Sequence, residues 1–265
     1  MTNWAAFAGI AVALLFLLLV LARASQAYVG PTVTVAERTW LAGLPDGADH
    51  LDASGAAAPV AGRADPPSES FLLVNVALSQ GLFGFVLVVG AWYTEVPLAA
   101  LGLGSDPLST GVPALGGGLA LGLALAGANA LGSTVAERFG YEPGTELREL
   151  LAPETARGWV LLLGVALPTV AVFEEFLFRA VLVGAFAAGF GVSPWLLAAL
   201  SSLAFAVGHG AQGPAGIAVT GLLGFVLAAA FVLTGSLVVV TLAHYLVNAV
   251  EFLRHERQIG PPVSG

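Results

Sequence analysis

The chain has 265 residues, of which 57% are hydrophobic and 10% charged, and its formal net charge is −8. Because soluble domains carry about 25% charged residues, this composition indicates a polytopic membrane protein. The absence of cysteine excludes disulfides, thiolate nucleophiles and cysteine-bound metals, and the acidic balance argues against nucleic acid as a partner. All nine basic residues are Arg, and an acidic, lysine-free chain of this kind is typical of an archaeal halophile.

Apolar segments recur along the whole chain and predict an all-α transmembrane bundle of about seven spans. A span needs about 20 apolar residues to cross a bilayer core of roughly 30 Å. The first segment is expected to be a retained span rather than a signal peptide, because no basic residue precedes Arg23. The predicted spans are 4–22, 71–93, 114–135, 159–190, 193–209, 215–233 and 236–253. The fourth is unusually long; we expect Pro168 to kink it, and a division there would make eight spans.

Polar segments divide the chain into three predicted regions. Residues 1–158 hold the first three spans and a flexible acidic loop at 43–68. We expect this loop to be a solvated connector rather than a partner-binding segment. Residues 159–253 form the helical core, and residues 254–265 form a tail. Leu147, Leu150 and Leu151 share a face, which predicts a short interfacial helix over 145–151.

The arginines predict the orientation of the chain in the membrane. With Arg23 placed in the cytoplasm, every arginine outside the spans falls on the cytoplasmic side, as the positive-inside rule requires. The N-terminus is then outside and the C-terminus inside, and the expected location is the cell membrane.

Three charged residues lie inside the long fourth span: Glu174, Glu175 and Arg179. Each charge at membrane depth costs about 2.5–3.5 kcal/mol on insertion scales, so each is expected to have a partner or a function. Glu175 and Arg179 are four residues apart, acid before base, and this spacing predicts an ion pair on one helix face. Glu174 lies about 100° around the helix from Glu175 and needs a partner from another helix.

Two later spans supply candidate partners for Glu174. Phe205 and His209 are four residues apart on one span, where the Phe could stack on the His and orient it. His244 and Asn248 repeat this spacing on the last span, and both side chains can donate or accept hydrogen bonds. A carboxylate, two imidazoles and an amide from three spans can therefore converge on one pocket.

Such a pocket allows several chemistries. A carboxylate beside an imidazole can activate water, and Glu174, His209 and His244 could instead ligate a divalent metal such as zinc. His244 and Asn248 could also stabilise an oxyanion. The alternatives are a proton-coupled transporter that uses the same charges, or interhelical hydrogen bonds without catalysis. A serine mechanism is disfavoured, because Ser201 and Ser202 face partly away from His209 and no Gly-x-Ser-x-Gly motif is present.

The order of these motifs resembles a known family. Glu-Glu-x-x-x-Arg at 174–179, Phe-x-x-x-His at 205–209 and His-x-x-x-Asn at 244–248 are similar to the CPBP family, also called Abi. This family contains the type II CAAX prenyl proteases and bacteriocin-processing relatives. The resemblance covers residues 159–253 and leaves the first 158 residues unmatched.

The resemblance implies an intramembrane endopeptidase acting on peptides or proteins at the lipid bilayer, including prenylated CAAX-type tails. It implies that Glu174 and His209 activate water, and that His244 and Asn248 stabilise the oxyanion or bind a metal. Glu175 and Arg179 would support the site. The family also includes members without known substrates, so a non-catalytic membrane adaptor or immunity protein of the same fold is the alternative.

Overall fold

A computed structural model describes residues 1–28, 68–138, 151–153 and 155–258. The chain forms two compact units, Met1–Ala22 with Ser68–Gly265 and, separately, Arg23–Pro67. Of the second unit only the end of the first helix is described. The predicted acidic loop, apart from Ser68, and the predicted interfacial helix, apart from Leu151, lie outside the described residues, as does the tail after Gln258. The division into regions at 158 and 253 stays a prediction.

The described residues form eight helices and no strand. The helices are α1 Trp4–Tyr28, α2 Glu69–Tyr93, α3 Pro107–Thr110, α4 Val112–Arg138, α5 Ala156–Phe190, α6 Pro194–Gly208, α7 Gly213–Thr234 and α8 Leu237–Gln258. Short 3₁₀ turns cover Leu98–Leu101 and Gly210–Gln212. The all-α polytopic bundle is therefore confirmed.

Six of these helices are long and apolar enough to cross a membrane: α1, α2, α4, α5, α7 and α8. The remaining predicted span, 193–209, corresponds to α6, which is apolar but has only 15 residues. At about 1.5 Å per residue, α6 is shorter than a bilayer core. It begins with Ser193 at the N-cap position and Pro194 in the first turn, and it ends at the residue before His209.

Helix α5 runs without a break from Ala156 to Phe190, so the long fourth segment is one span. Two stretches of it, Leu162–Ala166 and Phe176–Ala185, have the wider turns of a π-helix. The first stretch ends two residues before Pro168, which lacks an N–H, and such an adjustment accommodates a proline within a membrane helix. In the second stretch every residue except Gly184 is buried, which makes α5 the central helix of the bundle.

Small residues bring the neighbouring helices close together. A Cβ atom at Gly118 would lie 2.9 Å from Leu242, and one at Gly122 would lie 2.9 Å from Leu246. Helix α8 therefore packs closely against these two glycines of α4. Gly127 has no neighbour within 4 Å and takes no part in this packing.

Candidate active site

A buried ion pair between Glu175 and Arg179 lies at the centre of the bundle and supports the site. Arg179 Nη1 donates a hydrogen bond of 2.7 Å to Oε1 of Glu175, and both side chains are almost wholly buried. Arg179 Nη2 donates to the carbonyl oxygen of Gly224 on α7 at 2.8 Å. The guanidinium carbon also lies 4.8 Å from the centre of the Phe205 ring, within the range of a cation–π contact. The ion pair predicted from helical spacing is present, and it ties α5 to α6 and α7.

Glu175 has a second partner that helical spacing did not reveal. Nδ1 of His244, on α8, lies 2.7 Å from Oε1 of Glu175. A carboxylate paired with Arg179 accepts hydrogen bonds, so His244 donates through Nδ1–H. The bond fixes the orientation of the imidazole ring and directs Nε2 away from Glu175.

His209 is held in a comparable way by a different acceptor. Its Nδ1 lies 2.8 Å from the carbonyl oxygen of Phe205, one turn earlier on α6. Because a carbonyl oxygen can only accept, Nδ1 carries a proton, and in the neutral imidazole Nε2 then has the free lone pair. The Phe205 and His209 rings are 4.4 Å apart between centres, so the predicted stacking contact is present as well.

Glu174 lies between the two histidines. Its Oε1 is 4.0 Å from Nε2 of His209, and its Oε2 is 3.7 Å from Nε2 of His244. These separations exceed a direct hydrogen bond, and polar atoms at such a distance are commonly joined by water. The Glu174 side chain is 13% exposed, far less than a surface carboxylate. The structure thus brings together three polar side chains from α5, α6 and α8 that the sequence singled out.

Asn248 and Phe205 occupy different positions relative to these three side chains. Asn248 is half-buried on α8, one turn after His244, and its side chain makes no hydrogen bond within the described part of the chain. Phe205 is buried and packs its ring edge-on against Phe178 and His244. Phe205 therefore contacts both histidines, whereas Asn248 is placed only by sharing a helix with His244.

The hydroxyls of two serines near the site donate hydrogen bonds to backbone carbonyl oxygens. Ser201 Oγ donates to the carbonyl oxygen of Phe178, and Ser202 Oγ donates to that of Ala198, both at 2.6 Å. Both residues are buried. Neither hydroxyl is directed at a histidine, which agrees with the sequence-based argument against a serine nucleophile.

The donor set of Glu174, His209 and His244 has the chemistry of a divalent-metal site, but its spacing is wider than that of bound ligands. Ligand atoms at about 2.0–2.1 Å from a tetrahedral zinc lie roughly 3.3 Å from one another. Among the described residues, no three His, Asp or Glu side chains are placed to hold a metal ion as they stand. The two Nδ1 hydrogen bonds are nevertheless of the kind that orients metal-binding histidines.

An apolar groove lies between α5 and α8, with Leu115 of α4 also on its wall. Its volume is about 430 Å³. On α5 its wall includes Ala171, one turn before Glu174 and Glu175, and on α8 it includes Thr241, one turn before His244. The remaining lining residues are Leu103, Pro168, Val172, Leu237, Val238, Leu242 and Tyr245. The hydroxyl of Tyr245 is engaged with the carbonyl oxygen of Leu163, so the wall is almost wholly apolar.

One region of the chain matches a known protein family. Residues 156–250 match the family described as type II CAAX prenyl endopeptidase, Rce1-like. This region holds all three motifs, so the resemblance inferred from the motifs is confirmed. No curated protein and no solved structure matches the chain. The family and the apolar helices together indicate an integral membrane protein.

Proposed function

We propose that the protein is an intramembrane endopeptidase that hydrolyses peptide bonds with water activated by Glu174. The observation that carries this proposal is the position of the Glu174 carboxylate, whose two oxygens face Nε2 of His209 at 4.0 Å and of His244 at 3.7 Å. A half-buried carboxylate with two oriented imidazoles has the parts that general-base hydrolysis requires.

The hydrogen bonds suggest a separate role for each side chain. Glu174 takes one proton from the water, while Nε2 of His209 accepts a hydrogen bond from the remaining O–H and so orients the water. Hydroxide then adds to the carbonyl carbon of the scissile peptide bond. The carboxylic acid formed on Glu174 gives its proton to the leaving nitrogen, so the net reaction consumes one water and returns the enzyme to its starting state.

The oxyanion formed in this step needs a hydrogen-bond donor. His244 donates through Nδ1 to Glu175, and in its imidazolium form it would also donate through Nε2 to the oxyanion. The Asn248 amide, one turn away on the same helix face, is a second candidate donor.

A metal-dependent variant of the same reaction uses the same three side chains. Glu174, His209 and His244 are the residues that would hold a divalent ion such as zinc, and the separations of 4.0 and 3.7 Å between Glu174 and the two histidines would have to shorten for them to do so. The ion would supply Lewis-acid chemistry. Metal analysis of the purified protein, together with activity after chelation and after zinc is restored, distinguishes this variant from the metal-free one.

The substrate class follows from the apolar groove. We propose that the substrate is a membrane-associated peptide whose lipid anchor, an isoprenoid chain in the CAAX case, lies in this groove. The groove shares α5 and α8 with the site, so an anchor bound there would place the adjacent peptide near Glu174. In our proposed orientation the N-terminus is outside and the C-terminus is in the cytoplasm of the cell membrane.

Cleavage of a fluorogenic prenylated peptide by the purified protein in liposomes tests the proposal. Wild-type cleavage that disappears in Glu174→Ala and His209→Ala would support it. Glu95→Gln, at an exposed carboxylate outside the spans, is the matched control and should retain activity. Cleavage that persists in both site variants would refute the proposed roles, and pH-driven ion flux without cleavage would favour a transporter.

A further inference from the structure

His209 is anchored differently from the other two side chains of the site. Glu174 and His244 lie within continuous helices, whereas His209 is the C-cap of α6 and its side chain is 28% exposed. The chain leaves His209 through a short turn that ends at Gly213, whose positive φ of 72° begins α7. The position of the His209 imidazole therefore depends on how this turn is held.

Gln212 fastens the turn at two points. Its backbone N–H donates to the carbonyl oxygen of His209 at 3.0 Å. Its side-chain Oε1 accepts a hydrogen bond of 2.6 Å from the hydroxyl of Thr220, two turns into α7. The Gln212 side chain thus links the residue that carries the imidazole to the neighbouring helix.

Gly216 makes room for this link. A Cβ atom at Gly216 would clash with Cβ of Gln212 and would lie 3.4 Å from its Oε1. The first of these contacts is with the base of the Gln212 side chain, so rotation of the side-chain end could not relieve it. The absence of a side chain at Gly216 lets Gln212 lie along α7 and reach Thr220.

We propose that Gln212 and Thr220 form a clamp that positions His209 for water activation, which makes both of them positioning residues. The proposal rests on the proposed function of His209. The clamp is exposed, so its hydrogen bond contributes little to overall stability. Loss of the clamp should instead displace the His209 imidazole, and small displacements of a reacting group lower the rate strongly.

Four substitutions test the clamp. Gln212→Ala and Thr220→Val remove the acceptor and the donor, and each is expected to lower kcat about tenfold with KM changed less than about twofold. Gln212→Glu keeps an acceptor for Thr220 and should retain the wild-type kcat. Gly216→Ala should displace Gln212 and act like Gln212→Ala. Thr234→Val, which removes a hydroxyl bonded within the far end of α7, is the control and should have no effect.

The double variant Gln212→Ala/Thr220→Val separates a joint role from two independent ones. If the two residues act through one hydrogen bond, the double variant should lose no more activity than either single variant. Multiplicative losses, or loss of activity in Gln212→Glu equal to that in Gln212→Ala, would overturn the clamp.

A second readout does not depend on catalysis. The rate at which diethyl pyrocarbonate modifies His209, measured by peptide mass spectrometry, should rise in Gln212→Ala and Thr220→Val, because the turn is released. It should stay at the wild-type value in Gln212→Glu and Thr234→Val. If the wild-type protein cleaves no substrate, the proposed function fails while this measurement still tests the clamp. An unchanged modification rate in all variants would refute the clamp even if cleavage is confirmed.

Discussion

Glu175 and His244 are joined by a buried contact of 2.7 Å between Oε1 and Nδ1, although they lie 69 residues apart in the chain. The same carboxylate oxygen accepts a hydrogen bond from Arg179. Glu174, the preceding residue, makes no contact this short with either histidine. Two consecutive glutamates on α5 therefore have different surroundings, and we expect different consequences when each is changed.

Glu175→Gln should reduce stability and activity together. The substitution removes the negative charge that balances Arg179, and loss of one partner of a buried ion pair costs about 3–5 kcal/mol. The melting temperature in detergent should fall, and kcat should fall as well, because His244 loses its ionic acceptor. A melting temperature unchanged from wild type would contradict the claim that Glu175 stabilises the protein by balancing Arg179.

A double-mutant cycle tests the pair more closely. Arg179→Met alone leaves Glu175 buried with its charge unbalanced, so it should also destabilise the protein by about 3–5 kcal/mol. The double variant Glu175→Gln/Arg179→Met leaves no unbalanced charge at these two positions and should be less destabilised than the sum of the two single variants. Additive losses, measured by denaturant titration, would show that the two residues stabilise the fold independently.

Close packing between α4 and α8 should control the position of His244. Gly122→Ala would place a Cβ atom 2.9 Å from Leu246, and overpacking of this kind costs about 1–3 kcal/mol. Because Leu246 is two residues from His244, kcat should fall with stability. Gly127→Ala, at a glycine of the same helix with no neighbour within 4 Å, is the matched control and should be neutral or slightly stabilising. Equal effects of the two substitutions would contradict this account.

Filling the apolar groove should impair lipidated substrates selectively. Val238 is half-buried on the groove wall, and Val238→Phe should raise KM for a prenylated peptide several-fold with little change for the same peptide without the lipid. Val219→Phe, at an exposed position of α7 outside the groove wall, should change neither value. An equal increase in KM for both peptides would argue against the groove as the anchor site.

Much of the architecture could be predicted because membrane spans are visible as apolar runs. The ion pair of Glu175 with Arg179 was also predictable, since residues four apart on a helix face one another. The sequence further indicated that Glu174 needs partners from other helices, and the structure places His209 and His244 beside it.

Contacts that depend on how helices pack could not be predicted in the same way. The bond from His244 to Glu175 joins α8 to α5, and no spacing rule relates residues on different helices. The π-helical turns of Phe176–Ala185 leave no clear mark in an apolar sequence, because side-chain type alone does not distinguish them from α-helical turns. Asn248 was singled out by its spacing from His244. Its side chain makes no hydrogen bond in the described part of the chain, so no hydrogen bond there links it to the other site residues.

The central claim is that the Glu174 carboxylate activates the water that cleaves the peptide bond. Single-turnover cleavage by Glu174→Gln in liposomes tests it most directly, because this substitution keeps the size of the side chain but removes the base. We predict a fall in rate of about 10²–10⁴-fold, the range that a general base contributes, with a melting temperature equal to that of wild type. A Glu174→Gln variant that cleaves within about threefold of the wild-type rate would contradict the claim.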